Sequence, residues 1–378
     1  MRLWRIRTGL QTSHVPRLKA GAVLEMRSFA HFQTDSHIPT LSWSLRNGLL
    51  LAEIGDYIAG AVTIAQSAFS TRSCPYGAEA LREAALLIRA GEPVAVPTET
   101  VYGLAADATD SSAVAAIYSA KGRPSFNPLI VHVADRDMAQ RLADFSPVAA
   151  KLADRFWPGP LTLVLPVRAD SGLSPLVMAG LPTVALRLPA HPAMRALIRE
   201  SGCPLAAPSA NRSGSISPTR AEHVLASLNG KIRMILDEGP TSEGLESTIA
   251  APEADRVRLL RPGPVTAAML EEATGLPVTT GGDAKIEAPG QLESHYAPSK
   301  PVRLDALRAE KDEYLIGFGL MPCHINLSPE ADLREAAANL FAALHIADAS
   351  ATPRIAVAPI PIEGIGAAIN DRLKRAAA

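Results

Sequence analysis

The chain has 378 residues, 47% of them hydrophobic and 20% charged, which is enough apolar material for a sizeable core and excludes a mainly disordered protein. Thirty-seven basic residues stand against 38 acidic ones, and only 4% of residues are aromatic, so the chain as a whole is not built to grip or stack on nucleic acid. Cys74, Cys203 and Cys323 lie too far apart for a disulfide framework or a paired-cysteine metal site, which makes a reducing cytoplasmic setting the expectation.

Residues 1–75 hold eight Lys or Arg and four Asp or Glu, leaving 29 and 34 for the remainder. This first segment has no clean periodicity, and a poorly ordered extension without an assigned role is expected. Its most apolar run, 49–65, is interrupted by Glu53 and Asp56, so no membrane span is expected. From residue 77 the pattern becomes regular. GAEALREAALLIRAG predicts an amphipathic helix closed by Gly91, EPVAVP a buried strand, and 111–120 a helix with a serine cap. NPLIVHV and LTLVLPV predict strands, with Ser146-Pro147 starting a helix between them. TVALRLP, RMILDE, STIAAP and VRLLRP add strands, among helices near 193–200, 221–228 and 267–273. Such mixing predicts an α+β domain over 76–275. A linker rich in Gly and Pro covers 276–300. A smaller α/β unit follows over 301–378, with strands in EYLIGFG and RIAVAPIP and helices in DLREAAANLFAALHIADA and IGAAINDRLKRAAA.

The usual phosphate loop, the hydrolase elbow and the zincin motif are all missing, and no histidines pair at metal-ligand spacing, so no protein metal site is expected. What remains is polar and cationic residues at the ends of strands. PTETVYGL (97–104) releases hydroxyl and carboxylate groups from a strand end. KGRPSFNPLIVHV (121–133) places Lys121, Arg123 and Asn127 on a loop and His132 in a strand, a cationic corner that suits phosphate oxygens. Arg187 interrupts an apolar strand and needs either a ligand anion or a structural carboxylate. APSANRSGSISPT (207–219) offers hydroxyls and backbone N–H groups, while Ser247 stands at a strand start and Arg261 at a strand end. Cations and hydroxyls without a covalent nucleophile suit phosphoryl or nucleotidyl transfer.

Read in order, PTETVYGL, KGRPSFNPLIVHV, WPGPLTLVL, RLPAHP, APSAN, ESTI and LRPG resemble the YrdC-type threonylcarbamoyl-AMP synthases. HYAP (295–298) and the segment from NLSP (326–329) onward resemble the long form of that family. The resemblance implies a YrdC-like mixed twisted sheet with helices, plus a smaller Rossmann-like α/β C-terminal domain. It implies that L-threonine, bicarbonate and ATP give L-threonylcarbamoyl-AMP, pyrophosphate and water. The product then serves a separate transferase acting beside the anticodon of tRNAs that read ANN codons. By the same resemblance, L-threonine is held at Thr100, His132, Arg187, Ala207 and Ser247. ATP is held at Arg123, Asn127, Thr183, Ser209, Ser217, Arg261 and Tyr296. Lys121 and Asn211 neighbour the phosphates, and Lys121, Arg123 and Arg187 carry the catalytic charge. Magnesium accompanies the ATP without a dedicated protein site. Gly281, Gly282 and Gly290 make the linker flexible, so that it acts as a lid with His295-Tyr296 at its tip. The competing reading is a non-catalytic protein that binds double-stranded RNA or tRNA, against which the acidic balance and few aromatics speak. A carbamoyl transferase of hydrogenase maturation also contains such a domain, but needs cysteine-rich fingers that three dispersed cysteines do not supply.

Overall fold

In the computed structural model, residues 70–124, 126–280, 287–289 and 295–378 are described. The chain runs β1 (Arg72–Pro75), α1 (Ala78–Arg89), β2 (Val94–Pro97), β3 (Tyr102–Asp107), α2 (Ser111–Lys121), β4 (Ile130–His132), α3 (Arg136–Leu142) and α4 (Pro147–Phe156). Then come β5 (Leu161–Pro166), α5 (Pro175–Met178), β6 (Thr183–Arg187), α6 (Pro192–Ser201), β7 (Leu205–Ala206), α7 (Ala221–Leu228) and β8 (Met234–Asp237). β9 (Thr248–Pro252), β10 (Val257–Arg261), α8 (Ala267–Thr274) and β11 (Val278–Thr280) complete the larger part. β12 (Val302–Arg303), β13 (Glu313–Gly317), β14 (Ile325–Asn326), α9 (Leu333–Ala349), β15 (Arg354–Val357) and α10 (Gly366–Ala376) form the smaller one.

Among the described residues, eleven strands join one mixed sheet in the order β1-β8-β2-β3-β7-β4-β6-β5-β9-β10-β11. Its strands are apolar on both sides, so both faces must be covered. Val131, Leu163, Leu186 and Ala250 point into the main core beneath the helices. On the opposite face, Val94, Val96, Ala105 and Leu205 pack with α1 and α6. Further along that same face, Ile130, Val164, Ala185, Ile249 and Ala251 meet Ala288 of the linker instead. The site lies where the helical cover gives way to the linker. No described helix is long and apolar enough to cross a membrane.

Some expectations need correction. The extension expected over 1–75 is ordered at its end, where Arg72–Pro75 pairs in parallel with Met234–Asp237 as an edge strand. The start of the linker likewise adds β11 to β10. Residues 1–69 lie outside the described residues, as do Gly281, Gly282 and Gly290. The helix at 111 is capped by Asp110, whose carboxylate accepts from the Ser112 N–H, rather than by serine. The Ser146-Pro147 start is as expected, with the Ser146 hydroxyl accepting from Ala149 N–H at 3.1 Å. Strand β3 was missed because its residues, YGLAAD, include no β-branched side chain.

In the smaller part, four parallel strands run in the order β12-β15-β13-β14 with α9 and α10 packed on them. Its core is not self-contained. Val101, Ile216 and Leu245 of the larger part belong to the same apolar cluster as Leu340, Phe341 and Leu344 of α9.

Candidate active site

His132 and Arg187 end the parallel neighbours β4 and β6 and are partners in register, so both side chains leave the same face of the sheet. Thr100 reaches the same place from the turn between β2 and β3. That turn is tied by the Thr98 hydroxyl, which bonds the Val101 carbonyl at 2.7 Å and the Thr100 hydroxyl at 2.8 Å. Ser247 immediately precedes β9, and its hydroxyl lies 2.7 Å from that of Thr162 in β5. Arg261 ends β10 and donates from Nε and Nη2 to the Ser247 carbonyl at 3.0 and 2.9 Å. Gly263 permits this approach: a Cβ there would lie 2.4 Å from the Thr248 nitrogen.

Thr100, Arg123, His132, Arg187, Ala207, Ser209, Ser247, Arg261 and Tyr296 line one cavity of about 50 Å³. A water takes roughly 10–15 Å³ on that scale, so the space among the described residues has room for several waters. The cavity wall does not include Lys121, Asn127, Thr183, Asn211 or Ser217. Thr183 opens β6 at the end opposite Arg187, roughly 13 Å away along the strand. The Ser217 hydroxyl is turned to the Glu246 carboxylate. Lys121 was expected beside phosphates as a catalytic charge. Instead its buried ammonium donates to the carbonyls of Ser209 at 2.6 Å and Asn211 at 2.5 Å, fixing the 207–219 loop to the end of α2. Ala207 spends its N–H on the Ile130 carbonyl at 2.9 Å.

Two carboxylates escaped the sequence reading. Glu99 pairs with Arg187 at 2.6 Å, so the burial of this arginine is compensated within the protein before any ligand arrives. Of the two partners left open for Arg187 by its place in the strand, the structural carboxylate is present. Burial pushes the Glu99 carboxyl up, but the Arg187 charge together with hydrogen bonds from Arg187 and the backbone outweighs it and holds the pKa below the usual value. Glu246 behaves alike: burial raises its pKa, and Arg372 with Arg261 more than offsets the rise. Both were visible as letters inside PTET and ESTI, where a carboxylate amid hydroxyls is the signal that was passed over.

The cations at the other end differ. Lys121, Arg123 and Arg261 bond backbone carbonyls, with the Ser247 hydroxyl added for Arg261, and have no carboxylate ion-pair partner among the described residues. Burial draws Arg123 down to about 10 and lowers Arg261 as well. Burial, then Arg123, puts Lys121 well below its ordinary value. His132 is kept neutral, with burial and then the Arg187 charge bringing its pKa to about 3. Asn127 Oδ1, His132 Nδ1, Asn211 Oδ1 and the Tyr296 hydroxyl are buried without a hydrogen-bond partner among the described residues. The region therefore combines unneutralised positive charge with unused polar atoms.

Residues 86–263 match the Sua5/YciO/YrdC family, described as telomere recombination. Residues 265–378 match the C-terminal domain of threonylcarbamoyl-AMP synthase. The threonylcarbamoyl-AMP synthase of Bacillus subtilis is 44% identical over 321 residues, covering 79% of this chain and 92% of the relative. The chain belongs to the threonylcarbamoyl-AMP synthase family. The Pyrococcus abyssi member of this family is 41% identical over 320 residues, covering 78% of this chain and 93% of that one. The crystal structure of P. abyssi Sua5 complexed with L-threonine matches with a TM-score of 0.73 at 38% identity, over 81% of this chain and 96% of that chain. Membership in the threonylcarbamoyl-AMP synthase family makes the chain an enzyme of the nucleotidyltransferase type, and the expected mixed sheet with a second α/β domain is the fold found.

Proposed function

We propose that this cavity binds L-threonine and ATP and makes L-threonylcarbamoyl-AMP, consuming bicarbonate and releasing pyrophosphate and water. The observation that carries the proposal is the group of buried Lys121 and Arg261 with half-buried Arg123, gathered beside one cavity with no carboxylate partner among the described residues. Unpaired buried cations are costly unless an anion joins them, and a triphosphate meets that need. In this reading Arg123 and Arg261 take phosphate oxygens, and Lys121 shapes the loop that receives them. Arg187 offers the L-threonine carboxylate the Nη2 protons that Glu99 contacts off-axis. Ser247 and neutral His132 order its hydroxyl and amino groups. The threonine nitrogen first takes up bicarbonate carbon with loss of water. A carbamate oxygen then attacks the α-phosphorus, and the bond to the bridging oxygen of pyrophosphate breaks. Positioning and charge neutralisation supply the catalysis.

Magnesium belongs to this scheme as part of the ATP substrate. No group of three His, Cys, Asp or Glu among the described residues could hold it, and Glu99 and Glu246 are both engaged by arginines. The product is passed to the transferase that modifies adenosine beside the anticodon of tRNAs reading ANN codons. The test is pyrophosphate release from ATP with L-threonine and bicarbonate supplied or withheld, with serine and glycine as controls. Release that needs both co-substrates and is lost in Arg187→Ala establishes the reaction. ATP turnover indifferent to L-threonine removes it, and salt-sensitive tRNA binding without ATP turnover favours the RNA-binding reading instead.

A further inference from the structure

Arg372 sits on α10, far from every sequence-assigned site residue in the chain, and its side chain is fully buried. Its Nε donates to Glu246 Oε2 at 2.8 Å, its Nη2 to the Pro262 carbonyl at 3.0 Å and its Nη1 to Asp371 at 2.7 Å. The guanidinium carbon lies 5.2 Å from the centre of the Tyr296 ring, within cation–π range. Three of these contacts reach the cavity. Glu246 and Tyr296 line its wall, Glu246 also accepting from Ser217, and Pro262 follows the lining residue Arg261. A single side chain of the smaller domain thus grips three separate pieces of wall.

The same loops are held from behind by packing. Gly244, with φ +69°, lies so near α9 that a Cβ would stand 2.4 Å from the Ala338 carbonyl oxygen and 2.5 Å from that of Ala337. Val101, Ile216 and Leu245 insert into the α9 cluster from the 97–104, 207–219 and 239–247 segments. The charge at this point also matters. Without Arg372, the Glu246 carboxylate would stand buried near Arg261 and weaken the positive field there.

We propose that Arg372 is a positioning residue for the nucleotide end of the site. It neutralises Glu246 and fixes Tyr296 and the Ser247 and Arg261 walls in the geometry that receives a triphosphate. The inference rests on the ATP reading above. Arg372 does not line the cavity and is not a catalytic residue.

The full chain and its Arg372→Met and Arg372→Ala variants are assayed for pyrophosphate release, with ATP and L-threonine titrated separately. The expected result is a KM for ATP raised roughly ten-fold or more, with the KM for L-threonine changed by less than about three-fold. Free guanidinium added to Arg372→Ala lowers the ATP KM toward that of the unaltered chain. Equal increases in both KM values, or no guanidinium rescue in a folded variant, overturn the proposal. Should both variants fail to fold, Arg372→Lys and Tyr296→Leu are combined. Shared action predicts that the double variant is no worse for ATP than the worse single one, whereas multiplying effects overturn it. If the unaltered chain releases no pyrophosphate, the ATP reading itself falls and takes this proposal with it. If it does and Arg372→Met keeps the same ATP KM, only the positioning role falls.

Discussion

Glu99 Oε1 meets Arg187 Nη2 at 2.6 Å, and Arg187 Nη1 donates to the Thr100 hydroxyl at 2.9 Å, so the turn between β2 and β3 is fastened to the end of β6. Both partners are almost fully buried, and removing one leaves the other charge uncompensated. Glu99→Gln should therefore destabilise the chain by about 3–5 kcal/mol in urea unfolding. L-threonine should restore more stability to this variant than to the parent, because its carboxylate replaces the missing one beside Arg187. Equal thermal shifts with L-threonine in the two proteins would argue against a carboxylate clamp at Arg187.

Arg123 and Arg261 lead to the opposite expectation for stability. Neither has a carboxylate ion pair among the described residues, and burial already works against both charges. Arg123→Met should leave the unfolding midpoint unchanged or slightly higher, while ATP binding measured by calorimetry falls at least ten-fold. A variant that loses stability and keeps its ATP affinity would assign Arg123 to the scaffold.

The Tyr296 hydroxyl is fully buried and lacks a partner among the described residues, and the Tyr296 backbone is left-handed at φ 66°. Tyr296→Phe removes only that hydroxyl. The expected outcome is unaltered stability with weaker ATP binding and more hydrolysed intermediate released per pyrophosphate formed. Cutting the chain near residue 280 lowers activity too, but it also strips the cover from Val101, Ile216 and Leu245. Tyr296→Phe therefore separates the contribution of the linker tip from loss of the whole domain.

Buried histidines should make the fold acid-sensitive: His223, which burial brings to about 3, is one of them, and His132 and His295 are two more. Burial, followed by Arg187 for His132 and outweighing Glu246 for His295, brings both to about 3. In the unfolded chain each titrates near 6.5. Both states are neutral above that value, so the native state is then at full strength. As pH falls below it, the unfolded chain takes up protons that the folded chain refuses. Stability is lost from about pH 6.5 down toward 3, by up to about 1.4 kcal/mol per pH unit for each histidine. Urea midpoints should be flat from pH 7 to 8 and drop below 6.5, and His132→Gln should remove one proton from the slope. An unchanged slope in that variant would mean that His132 is protonated in the native state.

Much of the fold was legible because buried strands such as VAVP and LTLVLP are continuous apolar runs set between turn residues. Arg187 was legible as a charge inside such a run. Its partner was not, since Glu99 stands 88 positions earlier and only the sheet order brings the two together. Lys121 illustrates the limit of composition: a cation beside a glycine suits phosphate, and nothing local reveals that two carbonyls of a distant loop already hold it. Arg372 could have been found. Ile365, Ile369, Leu373 and Ala376 form a helical apolar stripe, and Arg372 falls within it, which singles out a buried charge in an otherwise basic surface helix.

The apolar cluster that joins Val101, Ile216 and Leu245 to α9 has a thermodynamic consequence. Two sheets that share one core have no separate melting units: unfolding either exposes the apolar side chains of both. Heating should give one calorimetric transition, with equal calorimetric and van't Hoff enthalpies. Occupation of the cavity in the larger sheet should then raise the melting temperature of the smaller one by the same amount.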